Sequence, residues 1–467
     1  MSELLQFVRL LLLLPLLLLA ACSHKKSEIK PAPVYKAAET FDAAWQIIND
    51  THFDTNFNGI DWNKVRQEFR PRALAANSTP ELRQVLEEML QLLGHSHLSI
   101  IPGRPTGTSL SPDTNATLPP AREQSATVEP ENSAPPANES GLPPFEIRII
   151  EDQAMVSSIN RELSEEGSPI KPGWVLKEID GTEMEGYLEE LAEADMAAMK
   201  IFQQWSGVMQ LLKGPPGSEI NITFLDDQDR PHPLRVKRVA PEGVPFKLGN
   251  FPTLYARHEQ KILQVEEGRP LGYFWFNQWT MPNANAFNEA IEEFRTLDGM
   301  IIDLRGNVGG IVGFVLGLSG HLLTNQTSLG TMKMRDNQMV FNILPRKVSA
   351  RLQRVEPFSG QLAILVDPIS LSASELFAGG MQAIGRARII GEPTTGQALP
   401  AIFDRLPNGD LLYHALADYI LPNDQRLESR GVTPDVIIKL TRNDLLKNKD
   451  PVLQAAVDWI AKETRSK

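Results

Sequence analysis

From residue 271 to the C-terminus, short apolar runs alternate with longer amphipathic stretches, and that alternation constrains the fold more than any other feature of the chain. Residues 271–276, 300–304, 362–366 and 388–390 read as strands, with 285–297 and 311–323 as helices between them. Such alternation predicts an α/β layered core. Residues 451–462 read as a closing surface helix. Ser372 stands at one strand-to-helix junction, after 362–366 and before the helical stretch 376–384. A small hydroxyl residue there points its oxygen at open space, beside the unpaired amides and partial positive charge of a helix's first turn. Two readings follow. Ser372 is an ordinary helix cap, or it is a nucleophile whose oxyanion the backbone amides stabilise.

The first 22 residues are a different material. Leu10 to Leu19 is nearly unbroken leucine, preceded by Arg9 and closed by Ala20-Ala21-Cys22. A positive residue, a short apolar core and small residues at a cleavage point predict a secretory signal over 1–21. The run is too short and too N-terminal to read as a membrane-spanning helix. Its end looks like a bacterial lipobox, which implies cleavage before Cys22 and lipid on its sulfur. Ser23 rather than Asp after the cysteine resembles the outer-membrane sorting pattern, with the protein facing the periplasm. Several acyl chains would anchor it stably, whereas one alone is marginal. Cys22 is the only cysteine in 467 residues, so no intramolecular disulfide can form. Residues 22–36 read as a polar tether.

Residues 37–101 read as helical. Thr79 is the expected cap of the best-marked helix, Pro80 its first position, and Leu82, Val85, Leu86, Met89, Leu90 and Leu93 its apolar stripe. Gly94 ends it, and His95-Ser96-His97 follows. Residues 102–142 are dense in Pro, Ser, Thr, Asn and Glu, the composition of a disordered insert. Residues 143–240 are β-rich, with strand-like runs divided by Asp180-Gly181 and Gly214-Pro215-Pro216-Gly217 turns and one helical stretch over 183–212. Residues 250–467 form the α/β core, making the whole a multidomain α+β chain. A net charge of −12 argues against a nucleic-acid binder, which normally shows a basic face.

Four segments together resemble the tail-specific (carboxy-terminal processing) and tricorn-core serine peptidase family, including tricorn-like bacterial lipoproteins. They are Gly94-His95-Ser96-His97-Leu98; Pro172-Gly173-Trp174-Val175-Leu176 with Ile179-Asp180-Gly181; Asp303-Leu304-Arg305-Gly306-Asn307-Val308-Gly309-Gly310; and Ser372-Ala373-Ser374-Glu375. The second implies a PDZ-like fold for 143–240. The tail-specific branch places a lysine base in a Gly-Lys-Gly run, but this chain has Gly396-Gln397-Ala398. Glutamine does not titrate and cannot take the serine's proton. The tricorn branch instead uses a Ser-His pair and a glutamate before a Gly-Val-x-Pro-Asp turn, matched here by Ser96-His97 and by Glu428.

The resemblance therefore implies acyl transfer by Ser372, with His97 as general base and Ser96 and Glu428 supporting the imidazole. Amides of Gly309, Gly310 and Ala373 would form the oxyanion hole. Glu375 either bonds within the site or caps the helix, and Gln397 retains a structural bond where the lysine would lie. No cofactor is implied. His95 and His97 could suggest a metal pair, but no third ligand stands out. Expected partners are polypeptide substrates, held by their C-terminal ends at the PDZ-like part, and the membrane through Cys22; homo-oligomer formation stays open. Two rivals remain: an inactive peptide- or ligand-binding lipoprotein on the same scaffold, like the family's retinoid-binding relatives, and an adaptor of the envelope.

Overall fold

The computed structural model describes residues 36–103, 140–192, 194, 196–247, 253–265 and 270–465. The expected signal peptide, Cys22, nearly all of the tether and most of the Pro/Ser-rich insert lie outside the described residues. At the N-terminal end, α1 (Ala37–Thr51), α2 (Trp62–Ala75) and α3 (Thr79–Gln91) pack by their apolar stripes, with Phe41, Trp45, Ile48, Phe69, Leu82 and Leu86 in one core. The cap of α3 is Ser78 rather than Thr79: its hydroxyl accepts from the Glu81 amide. The chain then enters β1 (Ser99–Ile101).

The middle of the chain holds β2 (Phe145–Ile150), β3 (Gln153–Ile159), β4 (Val175–Ile179), β5 (Thr182–Glu183), α4 (Met184–Glu190), α5 (Ala197–Leu212), β6 (Glu219–Leu225) and β7 (Pro231–Lys237). The sheet runs β2-β3-β4-β6-β7, all antiparallel, with β5 paired to β4. The single helix expected over 183–212 is two. Unbroken, it would be about 45 Å long, too long to keep one stripe on so small a sheet. Breaking it lets Met184 and Leu188 of α4, and Val208 and Leu212 of α5, reach the same core.

After the short pair β8 (Val244–Phe246) and β9 (Leu254–Ala256) come β10 (His258–Leu263), β11 (Leu271–Phe276), α6 (Met281–Phe294), β12 (Gly299–Asp303), α7 (Val312–Gly320), β13 (Thr327–Met334) and β14 (Gln338–Ile343). Then follow β15 (Gln361–Val366), α8 (Ala373–Ala383), β16 (Arg388–Gly391), β17 (Ala401–Arg405), β18 (Leu411–Ala415), β19 (Ala417–Ile420), β20 (Val436–Ile437), α9 (Arg442–Leu446) and α10 (Pro451–Arg465). The main sheet has the order β10-β11-β12-β15-β16-β20 and is parallel from β11 to β20. Met300, Ile302, Leu362 and Ile364 point to the face covered by α6, α7 and α8. The alternate residues Ile301, Ala363 and Leu365 meet Val452, Ala456 and Ile460 of α10. Burial on both faces is why these strands read as continuous apolar runs. Two small sheets, β14-β13-β19 and β1-β18-β17, carried no such run and were not expected. The second joins the N-terminal helices to the core, with Ser99 opposite Tyr413.

The middle unit is held to the core by α9 and β15. Arg442 donates to the carbonyls of Gly173 (3.0 Å) and Asp226 (2.5 Å) and to Asp229 (2.7 Å). Arg148 of β2 pairs with the buried Asp367 just beyond β15. Inside the core, Arg305 bridges Asp303 (2.6 Å) and Asp450 (2.7 Å), while the Tyr273 hydroxyl donates to Asp303 (2.9 Å). Replacing Arg305 by Met would leave Asp303 in apolar surroundings without its countercharge. A loss of about 3–5 kcal/mol is expected, read from the urea midpoint; a loss below about 1 kcal/mol would show that the pair does not support the turn after β12.

Candidate active site

β12 and β15 are adjacent parallel strands, so their C-terminal ends open on the same edge of the sheet, where ligands of open α/β sheets collect. The loop after β12 carries Asn307-Val308-Gly309-Gly310; the loop after β15 leads to Ser372 at the start of α8. Asp367 Oδ1 accepts from the amides of Gly306 and Ile369, both at 3.0 Å, and the Leu371 amide donates to the Asn307 carbonyl (2.9 Å). The two loops are thereby locked together. Ser374 Oγ adds a bond to the Asn307 carbonyl (3.2 Å) and receives one from Trp279 Nε1 (2.9 Å).

Ser372 has φ 53° and ψ −116°, a conformation that L-residues avoid and that costs on the order of 1–3 kcal/mol. Its amide lies 3.0 Å from the Gln397 carbonyl and 3.1 Å from Glu375 Oε2. The following residue, Ala373, is the first of α8, where helix amides lack an internal acceptor. Gly309 and Gly310 have φ 86° and 140°. A Cβ on Gly309 would lie 2.8 Å from Ser372 Cβ, and one on Gly310 would lie 2.6 Å from the Trp279 carbonyl. Both positions therefore require glycine. The two amides are not equivalent: that of Gly309 already donates to Asn307 Oδ1 (3.0 Å).

His97 comes from the other end of the chain. Gly94 (φ 64°) ends the turn after α3, and His97 itself has φ 59°, which swings its ring back toward the core. Its Nε2 lies 3.3 Å from Ser372 Oγ across 275 positions of sequence. Its Nδ1 lies 2.6 Å from Ser96 Oγ. The Ser96 hydroxyl donates to Glu428 Oε2 (3.0 Å), and the Ser96 amide donates to Oε1 (2.8 Å). A hydroxyl has one proton. With that proton on Glu428, His97 must carry its own on Nδ1, leaving the Nε2 lone pair toward Ser372. The Ala398 amide (3.1 Å) is a third donor to Glu428.

Glu375 is fully buried at the foot of the serine. It accepts from Thr394 Oγ1 (2.5 Å), the Gly396 amide (2.7 Å) and the Ser372 amide. Burial pushes its carboxyl up to about 7 against the pull of those donors. Burial likewise raises Glu428 and lowers His97 to about 4, so the imidazole is neutral at pH 7. The Gln397 side chain bonds toward α5, with Nε2 3.5 Å from Met199 Sδ. His95 faces His52, Nδ1 to Nε2 at 3.4 Å, and among the described residues no three His, Cys, Asp or Glu side chains gather as a metal site. Thr394 and Tyr413, whose ring lies 5.4 Å from that of His97, carry no signal in the sequence, and Asn307 has one only as part of the 303–310 motif.

Residues 270–438 match the model of peptidase family S41, and residues 33–91 match the tricorn protease C1 domain. By class the chain is a serine-type peptidase carrying these two domains. It is 23% identical over 441 residues to a carboxyl-terminal-processing protease of Synechocystis, covering 89% of this chain and 85% of that one. It is also 23% identical to a putative tricorn protease homolog of Streptomyces coelicolor, over 92% of this chain but only 32% of the relative. Among solved structures it is similar in fold to mature CPAF, with a TM-score of 0.58 at 14% identity, covering 92% of this chain and 96% of that one. The photosystem II D1 C-terminal processing protease gives a TM-score of 0.52 at 18% identity, over 86% and 93%.

If the Ser372 turn stores strain, glycine should relieve it where alanine cannot. Ser372→Gly is expected to be about 1–3 kcal/mol more stable than Ser372→Ala. Equal urea midpoints for the two variants would mean that the turn is relaxed.

Proposed function

We propose that this chain cleaves polypeptides by acyl transfer through Ser372, with His97 as general base and then general acid. The supporting observation is the unbroken run from Glu428 through Ser96 and His97 to Ser372 Oγ. Ser372 Oγ adds to the scissile carbonyl carbon as its proton passes to His97 Nε2. The oxyanion forms against the amides of Ala373 and Gly310; Gly309, whose amide is already bonded, shapes the turn. The imidazolium then gives its proton to the departing amine, leaving an ester on Ser372. Water, deprotonated by the same nitrogen, hydrolyses the ester. Ser96 and Glu428 hold the imidazole tautomer, while Glu375 braces the serine through its amide. Gln397, with no titrating group, takes no part in proton transfer.

The β-rich middle unit, as a PDZ-like module, would take extended peptide ends by adding a strand to its sheet. Cys22 would carry the lipid anchor and hold the enzyme in the cell envelope, at the outer membrane facing the periplasm.

A fluorophosphonate should label the native protein but not Ser372→Ala, and peptide hydrolysis should fall by about 10³-fold or more in His97→Ala. Labelling that persists in Ser372→Ala would overturn the nucleophile. The pH profile supplies a second check. A lowered pKa keeps the imidazole unprotonated, so the acid limb of kcat/KM should fall through about pH 4 instead of 6.5. An acid limb at 6.5 that persists in Glu375→Gln would show that His97 is solvated in the working enzyme.

A further inference from the structure

The small sheet β1-β18-β17 has two faces of different character. Strand alternation sends Ile100 and Leu412 into the core of the N-terminal helices. The opposite face carries Phe403 and Tyr413, directly across from each other in the β17–β18 register. Their rings stack at 4.4 Å between centroids with an interplanar angle of 13°. Tyr413 in turn lies against the His97 imidazole, tilted by 51°. Both aromatic residues are only partly buried, whereas Leu412 and His414, which flank Tyr413 in β18, are fully covered. The outcome is a wall of two stacked aromatic rings beside the imidazole.

Peptide cleavage fixes what passes along that wall. His97 Nε2 must reach Ser372 Oγ in the first proton transfer and the leaving-group nitrogen in the second. The residue attached to that nitrogen, the first after the scissile bond, therefore leaves across the imidazole. The oxyanion lies on the other side, toward Ala373. Resting on the acyl-transfer reading above, we propose that Phe403 and Tyr413 form the subsite for the first leaving-group side chain and select an apolar or aromatic one. Tyr413 also packs against His97, so the test substitutes Phe403, its partner in the stack. A stacked aromatic pair offers a rigid apolar surface, and an apolar side chain placed on it excludes water from the imidazole edge.

The test uses the full chain and quenched peptides that differ only in the residue after the cleaved bond, leucine or phenylalanine against glycine. A second peptide set varies only the second residue before that bond. The native enzyme should favour leucine or phenylalanine over glycine by at least about tenfold in kcat/KM. Phe403→Ala should bring that ratio close to one, and Phe403→Leu, which keeps an apolar surface, should restore most of it. Selectivity that instead follows the second residue before the bond, or a ratio unchanged in Phe403→Ala, would overturn the subsite assignment. Fluorophosphonate labelling separates this failure from a larger one. The reagent lacks a leaving-group residue, so labelling without selectivity sinks the subsite alone, whereas no labelling at Ser372 sinks the peptidase mechanism with it.

Discussion

A carboxylate removed from water holds this site together. Glu428 sits under the core surface with one oxygen on the Ser96 amide and the other shared by the Ser96 hydroxyl and the Ala398 amide. Left unpaired, such a group would be costly to bury. Its three donors come from two segments, one following the N-terminal helices and one following Gln397, so satisfying the charge draws those segments together. The 3.3 Å approach of His97 to Ser372 depends on that gathering. The strand pairing of β1 with β18 supports it from behind.

Desolvation acts on each titrating group here in the direction set by its charge. The imidazole of His97 is driven toward its neutral form, while the carboxyls of Glu375 and Glu428 are driven up and then partly restored by donated hydrogen bonds. A serine nucleophile of the proposed kind needs a neutral base, and burial supplies that condition without a nearby positive charge. The same desolvation makes idle polar atoms costly, and Glu375, Thr394 and Asn307 are densely bonded.

Much of the layered core was legible because its strands are buried on both faces, a condition that leaves unbroken apolar runs in sequence. The helix stripes of the N-terminal region were legible for a related reason, their spacing of three and four residues. The small sheets were not. Strands β17 and β18 mix polar, aromatic and apolar residues, since one face meets helices and the other meets the site. The break between α4 and α5 was equally hidden, because local helix propensity runs through it and only the size of the underlying sheet decides against continuation. Of the candidate residues, Ser372, His97, Ser96 and Glu428 lie in one bonded run, whereas Gln397 turns toward α5 and the Gly309 amide is taken by Asn307.

The sequence alone determined residue chemistry and local turns: a hydroxyl at a strand-to-helix junction, glycines where the backbone approaches closely, a non-titrating glutamine at 397, and a histidine after a helix end. Those are short-range properties, written in neighbouring residues. Tertiary structure alone decided that residues 96, 97, 372 and 428 share one bonded run, which way the Ser96 proton points, and that Phe403 and Tyr413 flank the imidazole. Contacts between segments hundreds of residues apart depend on packing and burial summed over the whole core, and no local pattern carries that sum.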